Sequence, residues 1–201
     1  MKKVILSLVI SLGVTGVAFA KGGAAAGKGK VATCTACHGP TGVSPAPNWP
    51  NLAGQGERYL VKQITEIKEG KRSVPEMAPF VGSLTKQDIE DIAAFYSSQS
   101  APVGATDPKH VPLGESLYRG GDAKKGIPAC SGCHSPTGKG NYLASYPLIA
   151  GQKADYTAKQ LRDFREGDRT NDGDTKIMRT IAEKLSNKEI EAVSHYISGL
   201  R

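Results

Sequence analysis

Leucine, isoleucine, valine and phenylalanine are scarce in this chain. They make up 41 of 201 residues, and ten of the 41 lie between Val4 and Phe19 in one N-terminal run. Without that run 31 remain in 181 residues, about 17%. In a net-charged chain that fraction points to disorder, unless something other than an amino acid supplies apolar surface. The shortage excludes a large α/β enzyme built on continuous buried strands. No second apolar run approaches the roughly 18 residues of a membrane span, which excludes a multi-span membrane protein. A basic block is lacking too. Residues 21–100 hold 9 basic and 7 acidic side chains, residues 113–201 hold 14 and 11, and the segment between balances. Charge spread so evenly, with no aromatic interleaving, argues against nucleic acid as a partner. Cysteine and methionine number only four and three, so the places where they stand carry weight.

The N-terminal run reads as an export signal. Lys2 and Lys3 precede an apolar stretch from Val4 to Val17, and Ala18-Phe19-Ala20 fits the small-x-small cleavage pattern. The reading predicts a signal peptide over residues 1–20, cut after Ala20, and a periplasmic protein if the source is Gram-negative. Cleavage removes two lysines and lowers the formal charge from +7 to +5.

The remainder is a tandem repeat. Cys34-Thr-Ala-Cys37-His38 recurs as Cys130-Ser-Gly-Cys133-His134, and Pro50-Asn-Leu-Ala-Gly-Gln55 recurs as Pro147-Leu-Ile-Ala-Gly-Gln152. From Pro50 to Arg72 against Pro147 to Arg169, ten of 23 positions are identical without a gap. The pattern predicts a first domain at 21–100, a proline-stiffened linker at 101–112 and a second domain at 113–201. Periodicity within each unit is helical. Tyr59, Leu60, Ile64 and Ile67 share one face ahead of Gly70, and Tyr156, Leu161 and Phe164 do so ahead of Gly167. Thr85-x-x-Asp88 and Ser186-x-x-Glu189 resemble capping boxes opening a last helix in each unit. No strand pattern is sustained, so the expected fold class is all-α. Glycine- and proline-rich stretches at 39–56 and 135–151 are long enough to need a functional reason.

Cys-x-x-Cys-His is the attachment pattern of a c-type haem: two thiols bond the two vinyl groups, and the adjacent histidine sits under the iron. Two copies in an export-bearing chain with no other cysteine predict two covalently bound haem c groups, held by Cys34 and Cys37 and by Cys130 and Cys133. A four-cysteine zinc site would leave both histidines unexplained. A thioredoxin-like pair lacks its βαβ setting, and disulfides closing such short loops stabilise little. His38 and His134 are then one axial ligand of each iron. Past the signal only Met77 and Met178 remain, at matching places before the last helix, and they are the expected opposite ligands. Each could instead merely fill a core. His110 and His195 have no repeat counterpart and are expected to be solvated. The carbonyls of Pro50 and Pro147 are expected to accept a hydrogen bond from the proximal histidine rings, fixing their tautomer.

With Cys-x-x-Cys-His near the start of each unit, a Pro-x-Leu/Ile-Ala-Gly-Gln stretch and a methionine before the final helix, the chain resembles the class I c-type cytochromes. In its duplicated form it is similar to the dihaem c4 cytochromes. The resemblance covers nearly all of the chain after the signal. It implies two class I domains related by a pseudo-twofold axis, with haem edges facing across the interface. It also implies a monomeric periplasmic electron carrier, loosely associated with the membrane surface. The implied donor is of the quinol–cytochrome c reductase type, and the acceptor a terminal oxidase of the cbb3 type. A dihaem subunit of a flavocytochrome c sulfide dehydrogenase is the alternative, and a dihaem peroxidase a more distant one. Histidine and methionine on both irons leave no open position for a substrate, so the expectation is a carrier, not an enzyme. The family's opening helix falls on Gly22 to Lys30, which offers few side chains to bury.

Overall fold

Two helical units of the same design make up the computed structural model, which describes residues 22–201; the expected signal peptide and its cleavage site lie outside the described residues. The first unit runs α1 (Ala24–Lys28), α2 (Thr35–His38), α3 (Glu57–Lys68), α4 (Ala78–Val81) and α5 (Lys86–Ser97). The second runs α6 (Val111–Gly120), α7 (Ser131–His134), α8 (Ala154–Glu166), α9 (Ile177–Ala182) and α10 (Asn187–Ser198). Among the described residues β pairing amounts to two isolated bridges, Asp122 with Ile127 and Asn141 with Tyr146. No helix among them is long and apolar enough to cross a membrane.

Local signals act where the sequence places them. Both capping boxes form: the Thr85 hydroxyl accepts from the Asp88 N–H while the Asp88 carboxylate accepts from the Thr85 N–H, and Ser186 and Glu189 do the same. The shorter aspartate closes the first box as well as glutamate closes the second. Gly167 ends α8 in the left-handed region at φ 84°, a conformation that costs glycine nothing.

The opening helix forms despite its poor composition, and its glycines explain how. Gly27 of α1 lies so close to α5 that a Cβ there would fall inside the Asp91 carbonyl oxygen. Gly114 of α6 lies nearly as close to the Ala192 carbonyl of α10. In each unit the first and last helices therefore cross almost backbone to backbone, and glycine is what permits it. Few side chains are buried because there is no room for them. We expect Gly114→Ala to destabilise the second unit by about 1–3 kcal/mol, the usual range for overpacking. Thermal unfolding followed at that unit's haem absorbance checks this.

The linker departs from expectation in one respect. It is extended only as far as Asp107. Pro108 then opens a 3-10 turn and Pro112 stands at the start of α6, so these two prolines begin helical turns and do not stiffen an extended strap. The extended part is bound along its length. Ser198 Oγ donates to the Ala105 carbonyl at 2.9 Å, and Gly104 packs on the Ser198 carbonyl.

The two cores are separate and small. One gathers Leu60, Ile64, Ile67, Ile89, Ile92 and Tyr96, the other Leu117, Leu161, Ile190, Val193 and Ile197. Leu60, Ile64 and Ile92 of the first and Leu117, Leu161 and Val193 of the second line one cavity.

Candidate functional site

A single cavity of 1390 Å³ runs through both units. Its wall includes all four cysteines, His38 and His134, Met77 and Met178, and Pro50 and Pro147. The ten residues singled out from the sequence thus line one connected space, five from each unit. Local structure explains their placing. Cys34 and Cys130 precede the one-turn helices α2 and α7, whose last residues are His38 and His134. One turn of helix sets the two sulfurs and the imidazole of each motif along the cavity. Met77 stands immediately before α4, with Pro79 in its first turn. Met178 lies in the first turn of α9, entered through Lys176 at φ 50°. Both methionines pack against the core of their own unit.

His38 Nδ1 lies 3.0 Å from the Pro50 carbonyl oxygen, and His134 Nδ1 lies 3.1 Å from that of Pro147. Proline carbonyls can only accept, so each ring carries its proton on Nδ1 and turns Nε2, with its lone pair free, the other way. Burial pushes both imidazoles below their ordinary pKa, with the carbonyl opposing. Neutral rings are what a metal needs. The thiol of Cys130 is pushed up to about 11 by burial, and that of Cys34 upward for the same reason.

At the interface the cavity carries uncompensated positive charge. Arg72 and Arg169 are both buried, and among the described residues neither has a carboxylate within ion-pair distance. Their bonds go to neutral groups. Arg72 donates to Gln63 and, across the interface, to Gln160 and to the Tyr156 hydroxyl. Arg169 donates to Gln160 and Asn171 and, across the interface, to Gln63 and to the Tyr59 hydroxyl. Burial by itself would raise the Tyr59 pKa, yet the guanidiniums of Arg169 and Arg72 hold it below the usual phenol value. Buried charges are normally paired. Two unpaired guanidiniums on the wall of an apolar cavity fit a guest with flat apolar faces and acidic groups. A porphyrin bearing two propionates has that composition.

These contacts obey a pseudo-twofold. Gln55, Tyr59, Gln63 and Arg72 repeat as Gln152, Tyr156, Gln160 and Arg169, and a contact from the first set to the second recurs from the second to the first. That is the signature of an isologous interface. Sequence reading gave these residues no interface role, although a signal was present. Six of the ten identities between Pro50–Arg72 and Pro147–Arg169 are polar or charged, and four of those six pairs lie in this interface. Such identities are not needed to keep a helix amphipathic.

His110 and His195 correct an expectation. They are not separately solvated: their rings stack at 4.2 Å with planes 11° apart, and the His110 side chain is 12% exposed. The crossing of α6 and α10 puts the two together, a contact between chain positions 85 residues apart that no local pattern announces.

Two helical units, each offering Cys-x-x-Cys-His, a methionine and a share of one apolar cavity, define a tandem class I c-type cytochrome with two covalently bound haem c groups. The cytochrome c family model matches twice, at residues 24–100 and 114–201. Cytochrome c4 of Pseudomonas aeruginosa is 59% identical over 200 residues, covering the whole of both chains. A crystal structure of reduced cytochrome c4 from Pseudomonas stutzeri superposes with a TM-score of 0.88 at 59% identity, over 90% of this chain and all of that one. A thiosulfate dehydrogenase electron acceptor of Stutzerimonas stutzeri is 34% identical over 172 residues, 83% of this chain and 78% of its own. The chain belongs to the cytochrome c4 family and is a dihaem electron-transfer cytochrome.

Proposed function

We propose that the protein is exported to the periplasm and carries electrons one at a time on each of two six-coordinate haems. Cys34 and Cys37 hold haem 1, and His38 and Met77 ligate its iron. Cys130 and Cys133 hold haem 2, and His134 and Met178 ligate its iron. The observation carrying this reading is that a histidine and a methionine from matching places of the repeat line the same cavity in each unit. When bound, each haem supplies reversible one-electron exchange at a potential that methionine ligation raises. The chain's own part is to keep both ligand positions filled and water off the iron. Arg72 and Arg169 offer buried positive charge for the propionates at the interface, and the two pockets meet there so that an electron can pass inside the molecule. A quinol–cytochrome c reductase type of donor and a terminal oxidase acceptor of the cbb3 type suit this reading.

Optical and redox titration of the purified protein tests it. We expect two haems per chain, a methionine-to-ferric-iron charge-transfer band and two one-electron steps. Ready binding of carbon monoxide to the untreated protein would instead mean an open iron, as a dihaem peroxidase requires. A second reading is favoured by the relative named as a thiosulfate dehydrogenase electron acceptor: the chain receives electrons from a sulfur-oxidising dehydrogenase, a role akin to that of a flavocytochrome subunit. Stable copurification with a dehydrogenase separates this reading from the free carrier.

A further inference from the structure

The carbonyl of Pro50 and the N–H of Asn51 belong to one peptide group. Its oxygen accepts from His38 Nδ1 at 3.0 Å, and its N–H donates to Gln152 Oε1, in the other unit, at 2.8 Å. Gln152 Nε2 returns a bond to the Asn51 carbonyl at 2.9 Å. The arrangement is repeated with the units exchanged. The Pro147 carbonyl accepts from His134 Nδ1 at 3.1 Å, and the Leu148 N–H of the same peptide donates to Gln55 Oε1 at 2.9 Å. Gln55 Nε2 then donates to the Leu148 carbonyl at 2.8 Å. Both glutamines are buried, 4% and 6% exposed. Each spends both ends of its side-chain amide on the other unit's backbone, and each is fixed further by its Oε1 accepting the N–H of the next residue in its own chain segment.

A peptide group is a conjugated unit. When its N–H donates to a good acceptor, electron density moves toward its oxygen, and the bond which that oxygen accepts is strengthened in turn. A stronger acceptor on Nδ1–H gives the imidazole more imidazolate character and makes Nε2 a better donor to a metal. Greater donation favours ferric over ferrous iron and lowers the reduction potential, since hydrogen bonding around the ligand is one of the levers on haem potential. Each histidine is therefore coupled, through one peptide, to a glutamine on the opposite unit.

We propose that Gln55 and Gln152 are crossed positioning residues: Gln152 of the second unit lowers the potential of haem 1 through the 50–51 peptide, and Gln55 of the first unit lowers that of haem 2 through the 147–148 peptide. The proposal rests on His38 and His134 being the axial histidines. It makes the docked interface part of what sets both potentials, so that the affinity of each haem for its electron depends on the other unit being in place. The coupling is also unequal in its support. Asn51 Nδ2 donates to the Gly151 carbonyl and Asn51 Oδ1 accepts from the Ser44 N–H, whereas Leu148 has no side-chain amide. The peptide serving haem 1 is held by more bonds than the one serving haem 2.

The test uses the full-length holoprotein with Gln152→Leu and Gln55→Leu. Stepwise oxidation followed by haem-methyl NMR reads the two potentials separately. The Nδ1–H resonances of His38 and His134 in the reduced, diamagnetic protein read the two histidine hydrogen bonds. For Gln152→Leu we expect the haem 1 potential to rise more than that of haem 2, and the His38 Nδ1–H resonance to move upfield while that of His134 stays. Gln55→Leu should give the mirror image. Equal shifts at both haems in both variants would mean that the substitutions only loosen docking, and this overturns the proposal; a shift confined to the haem of the mutated unit also overturns it. If the leucine variants do not fold, Gln152→Glu keeps the acceptor and strengthens it. The His38 resonance must then move downfield and the haem 1 potential must fall more than that of haem 2. Failure of the ligation reading shows separately, as a native protein without the methionine-to-iron charge-transfer band.

Discussion

Cys130→Ala with Cys133→Ala should leave the second unit unfolded and the first folded. The far-ultraviolet helical signal should fall by roughly half and the haem content to one per chain. The reason lies in the cavity. Its volume is 1390 Å³, and a third of that space left dry would cost on the order of 10 kcal/mol at the cavity coefficient known from core deletions. That is as much as the whole stability of a typical domain. Letting water in is no remedy, because it would wet Leu117, Leu161, Ile181 and Val193, all of which line the space. The same four residues belong to or pack against the second unit's core, so a guest in the cavity completes that core. Without the propionate proposed for it, Arg169 would stay buried with neutral partners only among the described residues. The same argument extends to the complete apoprotein, which should lose most of its helix. Circular dichroism on the variant, beside haem quantification by pyridine haemochrome, decides the matter. Retention of near-native helicity would mean that the aliphatic core is more self-sufficient than its composition allows.

The second large effect is expected from Met178→Ala. It should remove half of the methionine-to-ferric-iron charge-transfer band and leave both haems attached. It should open one iron in two to carbon monoxide, and lower the potential of haem 2, since methionine as the sixth ligand raises it. Attachment survives because Cys130 and Cys133 stand on the other motif, before and within α7, remote in sequence from α9. Folding is expected to hold too. Met178 is only partly buried and packs at the edge of its core, so truncation should remove less than the 2–5 kcal/mol typical of a fully buried methionine. Met77→Ala should act in the same way on haem 1. Its loop has a proline, Pro79, in the first turn of α4, where the second unit has Thr180 inside a longer helix. A band left at full strength by Met178→Ala would show that some other group ligates haem 2.

Much of the fold was legible because its signals are local or repeated. The capping boxes at Thr85 and Ser186 mark helix starts within three residues of chain, and Gly167 marks a helix end in one. The paired Cys-x-x-Cys-His motifs gave the cofactor, since that spacing suits one chemistry. The opening helix was harder to read. Its glycines look like weakness in a composition, and only the crossing with α5 shows them to be contact residues. Pro108 and Pro112 were legible as prolines but not as helix starters, because the same ring that stiffens a linker also fits the first turn of a helix. The stacked His110 and His195 were beyond reach, since nothing in either neighbourhood refers to the other.

The sequence by itself determined that there are two units, that they are helical, that each carries a haem attachment motif, and which histidine and methionine match across the repeat. Tertiary structure alone decided what lies between the units. It joined two pockets into one cavity, brought Arg72 and Arg169 together with no acidic partner among the described residues, and placed Gln55 and Gln152 against the peptides that the opposite histidines use. The physical reason is the range of the forces. Helix caps, turns and attachment motifs are settled within a few residues of chain. A buried polar contact between segments about 100 residues apart is settled by packing, and its partners become visible only when the two surfaces meet.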